Sequence, residues 1–520
     1  MLTSSLVYQW LFVRLSPRFG LAFVAALAAY LLTVFPKLAG PVLALEEWSP
    51  GAELEPAWRA LHLPEILASA AVVALAAAGV LMALWAATAL YRLLPPRPAA
   101  WHARERVRAT RSRAGAASGE ARPLGRYHRL GIILAGGGAK GAYQAGALDA
   151  LHRFLAERGA LGSVRMIAAT SIGAWNACFW LADRIGADGC DCETWWHRVR
   201  LREILAPTYY VPRARNYVVS AAPWMRAFRT LFEDDVEART RLLEHIRAPE
   251  APGNLRFYLT RTNVERAHLE FSTNRADLLD VDNATGRSRP LIPPERWTRT
   301  QTIADLERAV FASMDLPPLF EYVRFGDELF EDGGVIDNLP IMFGTGIEKC
   351  DLLFVFPLNA SFVAPASPAS LLYRLQRVMA IRQGALERKA LKDVYLYNEL
   401  AALREKLARY DDPLPSAALG ATPEPAKSAE AMRDASKQSI EDRARQRVHQ
   451  PVQIFAVCPD EPLEIDTIEF WKTREAGRAY RLMREYTAYE LAKFDFDAAP
   501  NWIRVALVNP QGEVHYLEDF

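Results

Sequence analysis

Two long apolar runs stand near the start of the chain. Phe19 to Leu38 contains LAFVAALAAYLLTVF, and Ile66 to Tyr91 reads ILASAAVVALAAAGVLMALWAATALY without a single charge. A helix needs about 20 apolar residues to cross a bilayer, so the pattern predicts a transmembrane hairpin over 19–91. Beyond it the rhythm changes. Leu130 to Ala135 is a short apolar run of the kind a buried parallel strand requires, and AYQAGALDALHRFLAERG after it has helical spacing. The same alternation follows with a strand over Val164 to Thr170 and a helix over AWNACFWLADRIG. Leu255 to Val264 and His268 to Phe271 read as a hairpin. Leu371 to Tyr410 is charged and helical, and Gln453 to Cys458 is a further strand. Trp502 to Phe520 alternates like a strand pair around Asn509-Pro510-Gln511-Gly512.

Charge gives the hairpin a direction. Arg14 and Arg18 precede the first run, and seven arginines between Arg92 and Arg113 follow the second. The loop between them carries Glu46, Glu47, Glu53, Glu55 and Glu65 against Lys37 and Arg59. Positive flanks stay in the cytoplasm, so both termini are expected there. Arg14 and Arg18 also fit the basic region of a signal peptide, though no A-x-A cleavage site follows.

These shifts divide the chain into a cytoplasmic N-terminus 1–18, the hairpin 19–91, a basic and flexible linker 92–126, a catalytic core 127–360 and an extension 361–520. The extension holds a low-complexity stretch near 411–450. The 520 residues leave room for several units, and the net charge of +1 argues against a nucleic-acid partner. The five cysteines form no disulfide framework, and the lone Cys190-x-Cys192 lacks the partners of a metal site, so no metal is expected. Aromatics mixed with arginines in TWWHRVR, TYYVPR and PWMRAF fit either core and lid packing or contact with lipid.

Four motifs carry chemistry. Gly136-Gly137-Gly138-Ala139-Lys140-Gly141 joins the first strand to its helix. A glycine turn opening a helix presents N–H groups and a positive dipole end, which suits a phosphate or a transient oxyanion. Gly136, Gly138 and Gly141 also satisfy the dinucleotide pattern G-x-G-x-x-G, but that site expects an acid after the next strand. A serine stands there instead. Ala169-Thr170-Ser171-Ile172-Gly173 is a nucleophile elbow with its first glycine replaced by alanine. Ala312-Ser313-Met314-Asp315-Leu316-Pro317 follows a helix, and Asp332-Gly333-Gly334 follows a strand, its glycines allowing a tight turn.

In their order these blocks resemble the patatin-like phospholipase family over about Tyr127 to Pro357. The resemblance implies an α/β fold of three layers around a mainly parallel sheet, and a Ser–Asp dyad. Ser171 would be the nucleophile and Asp332 its base. Gly136, Gly137, Gly138, Lys140 and Gly141 would build the oxyanion hole, its donors the N–H groups of Gly137 and Gly138. Ala169, Gly173, Gly333 and Gly334 would support elbow and loop. The expected activity is hydrolysis of carboxylic esters of membrane lipids, in the bilayer and without a cofactor, at a bacterial inner membrane with the catalytic domain cytoplasmic. Two other readings stand beside it, a non-catalytic lipid-binding or scaffold protein and a dinucleotide-binding oxidoreductase. Oligomeric state is left open.

Overall fold

The structure is a computed structural model that describes residues 123–207, 219–281, 288–317, 319–359, 371–410, 451–459, 469–498, 503–508 and 514–516, and singly 217, 465 and 467. The expected hairpin 19–91, most of the linker 92–126 and the low-complexity stretch 411–450 lie outside the described residues. Among the described residues no helix is long and apolar enough to cross a membrane.

An 11-stranded sheet forms the centre. Its strands are β1 (Leu130–Leu134), β2 (Val164–Ala169), β3 (Arg256–Asn263), β4 (His268–Thr273), β5 (Trp297–Arg299), β6 (Val323–Phe325), β7 (Glu328–Asp332), β8 (Leu352–Phe356), β9 (Gln453–Pro459), β10 (Ile503–Val508) and β11 (Val514–Tyr516). The run β3-β2-β1-β8-β9-β10 is parallel throughout. Antiparallel partners close its margins, β11 beside β10 and β4 and β7 beside β3. Strands β9 to β11 come from the segment expected as an extension after residue 360, and they continue the same sheet.

Side chains alternate across the strands and feed two cores. Leu130, Ile132, Leu134, Phe354 and Phe455 face one way; Ile133, Met166, Leu353, Val355 and Ile454 face the other. The first face is covered by α1 (Gly141–Glu157), α2 (Ile172–Leu181), α3 (Asp191–Arg198), α4 (Leu201–Ile204), α5 (Ala222–Phe228), α6 (Val236–Arg247), α7 (Ile303–Ser313) and α9 (Thr473–Lys493). The second receives Leu391 and Val394 of α8 (Leu371–Tyr410), with Leu339, Ile341 and Phe343. The result is three layers around a mainly parallel sheet. Helix α9 packs so closely on α1 that a Cβ on Gly146 would fall 2.0 Å from the Tyr480 carbonyl oxygen.

The aromatic residues left open between core and lipid contact are core where described. Trp175 is surrounded by Phe179, Trp195, Trp224, Phe228 and Phe232, with ring centroids 4.8 to 6.3 Å away. Trp195, Trp196, Trp224 and Phe228 are all buried. The TYYVPR stretch lies outside the described residues.

Candidate active site

One edge of β3 is shared by two strands that run head-on toward each other. Strand β2 pairs with its first half in parallel and ends with Ala169 opposite Leu259. Strand β7 arrives antiparallel from the other end and stops with Asp332 opposite Arg261. Only Thr260 separates the two positions along β3, roughly 7 Å at the usual rise per residue. The chain leaving β2 and the end of β7 therefore converge on one point. Thr260 Oγ1 lies 2.7 Å from Thr170 Oγ1, and Thr262 Oγ1 donates to the Asp332 carbonyl at 2.9 Å, so β3 fastens both ends.

Ser171 occupies the turn between β2 and α2. Its φ of 55° is in the left-handed region that side chains other than glycine avoid. Three contacts hold it there. Its N–H donates to Ser313 Oγ at 2.8 Å, Thr170 N–H donates to Leu134 O at 3.0 Å, and Ala174 N–H donates to Ser171 O at 2.8 Å. Gly173 is required because a Cβ there would sit 2.7 Å from the Leu134 carbonyl oxygen. Ala169 is the last residue of β2, fully buried with its methyl in the first core.

The Ser171 hydroxyl stands beside the Asp332 carboxyl group, close enough to lower its pKa. Asp332 is buried, and burial is the main influence that pushes its pKa up to about 7. The Ser171 hydroxyl and the Gly334 N–H, the latter donating to Asp332 Oδ1 at 2.7 Å, pull the other way, while Glu331 adds to the rise. Gly333 and Gly334 are where expected: added Cβ atoms would lie 2.3 Å from Thr260 Oγ1 and 2.6 Å from Asn338 Oδ1. Behind them, Asp315 accepts the Asp332 N–H on its carbonyl at 2.9 Å. Its own carboxyl is raised to about 9, by burial first and then by Glu331 and Asp332, so it is neutral at pH 7.

The glycine loop separates donors that are used from donors that are not. Gly136 N–H is spent on Asn338 O at 3.3 Å, Lys140 N–H on Gly137 O at 3.2 Å, and Gly141 N–H on Ala139 O and Gly138 O. The N–H groups of Gly137 and Gly138 meet no acceptor among the described residues, and both glycines line the cavity with Ser171. Of the five residues expected to build the oxyanion hole, Gly137 and Gly138 thus offer N–H groups without an acceptor among the described residues, while Gly136, Lys140 and Gly141 spend theirs on backbone carbonyls. Gly138 has φ +57°, and a Cβ there would lie 2.0 Å from Thr467 O. Gly141 leaves room for Ile172 and Trp196. Lys140 reaches out of the loop, its Nζ donating to Asn359 Oδ1 at 2.8 Å.

The cavity has a polar floor of Ser171, Asp332 and the Gly137–Gly138 backbone, and apolar walls that include Ile172, Leu205, Trp224, Met314, Leu319 and Phe470. It holds about 40 Å³, room for a few waters. Residues the sequence left unassigned stand around it. Ser313 lies in a motif already singled out. Asn338, six residues past Asp332, donates from Nδ2 to Gly136 O at 3.1 Å and to the Glu387 carboxylate. Glu387 and Gln383 come from α8, where nothing in the sequence marked chemistry. Among the described residues no cluster of side chains suits a metal ion, and Cys190 caps α3 while Cys192 is buried within it.

A donor pair, a serine on a strained turn beside a buried carboxyl group and an apolar slot form the set an acyl-transfer site needs. The family model of patatin-like phospholipases matches residues 132–343. No curated protein matches the chain. Among solved structures, the chain is similar at 15% identity to VipD from Legionella pneumophila, over 70% of this chain and 67% of that one, with a TM-score of 0.31. It is similar at 16% identity to human GIVD cytosolic phospholipase A2 bound to a fluorophosphonate inhibitor, over 44% of this chain and 40% of that one, with a TM-score of 0.21. By the family-model match alone, residues 132–343 are a patatin-like phospholipase domain.

Proposed function

We propose that the chain is a serine acyl hydrolase that cleaves carboxylic esters of membrane lipids through Ser171 and Asp332. The observation that carries this reading is a serine on a left-handed turn set beside a buried carboxyl whose pKa is about 7. A serine hydroxyl is a weak nucleophile until a base takes its proton, and a carboxylate with a pKa near the working pH is suited to that task. In this mechanism Asp332 takes the Ser171 proton as Oγ attacks the ester carbonyl. The N–H groups of Gly137 and Gly138 receive the oxyanion, helped by the N-terminal end of α2. Asp332 then returns the proton to the leaving alkoxide, and water repeats the sequence on the acyl-enzyme.

The reading as a dinucleotide site loses its key residue, since Ser171 stands where an acid is needed for the ribose. The apolar walls of the slot favour an acyl chain. The two apolar runs at 19–38 and 66–91 are read as an anchor in a bacterial inner membrane, both termini cytoplasmic, that holds the domain at its substrate. Replacing Ser171 by alanine tests the catalytic reading: ester hydrolysis should vanish with the fold intact, and retained turnover of a short-chain ester would refute it.

A further inference from the structure

Helix α8 lies outside the segment matched by the family model, yet it delivers a polar side chain into the cavity. Gln383 lines it together with Ser171, Asp332, Gly137 and Gly138. It is 8% exposed and makes no hydrogen bond to another described residue. Its amide faces the cavity and is available to a ligand there. Its neighbours give its place. Gln383 Nε2 is 3.4 Å from where a Cβ on Gly334 would lie, and the Gly334 N–H is bound to Asp332 Oδ1. The amide thus stands over the turn that presents the Asp332 carboxyl group.

Its position is fixed by the rest of the helix. Gln383, Glu387, Leu391, Val394 and Asn398 form one buried stripe at helical spacing. One turn after Gln383, the Glu387 carboxylate accepts from the Nδ2 groups of Asn338 and Asn359 and from the Asn359 N–H. Further on, Asn398 exchanges two hydrogen bonds with Val452, at 2.8 and 3.0 Å. Gln383 thus sits on a firmly held stretch of helix, with its own amide unpaired among the described residues and open to a group that arrives.

Building on the Ser171–Asp332 reading, we propose that Gln383 is a further catalytic residue, whose amide donates a hydrogen bond to the leaving-group oxygen of the ester. Asp332 must pass the Ser171 proton to that oxygen as the carbon–oxygen bond breaks, so the leaving oxygen comes to the Asp332 side of the cavity. The Ser171 Oγ–carbon bond forms, the carbon–oxygen bond to the alcohol breaks, and the proton moves from Ser171 through Asp332 to the departing alcohol. Gln383 holds that oxygen in line and shares its developing charge.

The test compares two esters of one acyl chain, an alkyl ester and a p-nitrophenyl ester, on full-length wild type, Gln383→Leu and Gln383→Glu. A p-nitrophenolate leaves without protonation, so help at the leaving oxygen matters little to it. For both variants kcat/KM on the alkyl ester should fall on the order of 10- to 100-fold, the worth of one hydrogen bond to a charged group, while the p-nitrophenyl ester loses several-fold less. Gln383→Glu keeps the shape, and its charge beside Asp332 should also move the acid limb of kcat/KM to higher pH. Labelling of Ser171 by a fluorophosphonate, whose fluoride needs no proton, should stay near wild type in Gln383→Leu, and in Gln383→Glu once the pH is above the shifted limb, and it certifies the folded site. Equal losses on both esters, or no loss on either, would overturn the role of Gln383 and leave the dyad standing. Failure of wild type to label at Ser171 would overturn both.

Discussion

The two sides of the cavity are held by different forces. On the sheet side, Ser171 and Asp332 are set by backbone: β2 and β7 end two positions apart on β3, and the glycine loop is fixed by N–H groups bonded to Asn338 O, Gly137 O and Thr467 O. On the α8 side, position rests on side chains, above all the buried Glu387 that grips Asn338 and Asn359. Backbone geometry tolerates most side-chain changes but fails where a Cβ intrudes. Side-chain geometry built on a buried carboxyl group depends on its charge, hence on pH. Burial raises Glu387 to about 7, opposed by Asn359, Lys140 and Asn338. The two halves should therefore break differently.

The largest effect belongs to the proposed dyad. Ser171→Ala and Asp332→Asn should each lower kcat by roughly 1,000-fold or more, and the double mutant should be little worse than either, because members of one catalytic unit are not additive. A double mutant slower by the product of both losses would show that they act separately. Asp332→Asn should at the same time raise stability at pH 8, by about 1–2 kcal/mol in a denaturant titration, since it removes a buried carboxyl group that folding forces to carry charge.

Next comes the glycine loop. Gly138→Ala sets a Cβ against Thr467 O in a backbone conformation with φ +57°, so the loop must move and with it a proposed oxyanion donor. Loss of one such donor costs about 100- to 1,000-fold in kcat, and the strain about 1–3 kcal/mol of stability. Unchanged kinetics would mean that the N–H groups of Gly137 and Gly138 do not meet the oxyanion.

The smallest effect lies on the α8 side. Glu387→Gln keeps one acceptor oxygen and loses the charge, so kcat should fall only several-fold, on the scale of one weakened hydrogen bond. The pH dependence of stability should change more. Asp332 and Glu387 in the folded chain titrate near 7, above the ordinary carboxylate range, so the folded state binds more protons than the unfolded one between about pH 4 and 7. Stability must then fall as pH rises through that window. Wild type should lose more of its Tm between pH 5 and 8 than Glu387→Gln does, and equal slopes would contradict a buried charge at this position.

The same division explains what the sequence discloses. Ser171, Asp332 and the glycine loop carry local signatures, because a sharp turn needs small residues within a few positions of the reactive group. The strands were legible for a similar reason, as short apolar runs such as Leu130 to Leu134. The role of Ser313 was hidden because its partner Ser171 is 142 residues away. Gln383 and Glu387 were hidden in a charged helical tract, since a buried glutamate on a helix looks like an exposed one until its partners, 28 and 49 residues away, are placed. That β9 and β10 extend the catalytic sheet is also a matter of long-range pairing, which periodicity alone does not encode.

The account's central claim is that Ser171 is a nucleophile activated by Asp332. Fluorophosphonate labelling of the full-length protein, followed as a rate against pH and mapped by peptide mass spectrometry, tests it most directly. The prediction is a single label on Ser171, with a rate that climbs about tenfold per pH unit below an inflection near pH 7 and levels off above it. A label on another residue, no label at all, or a rate indifferent to pH between 5 and 8 would contradict it.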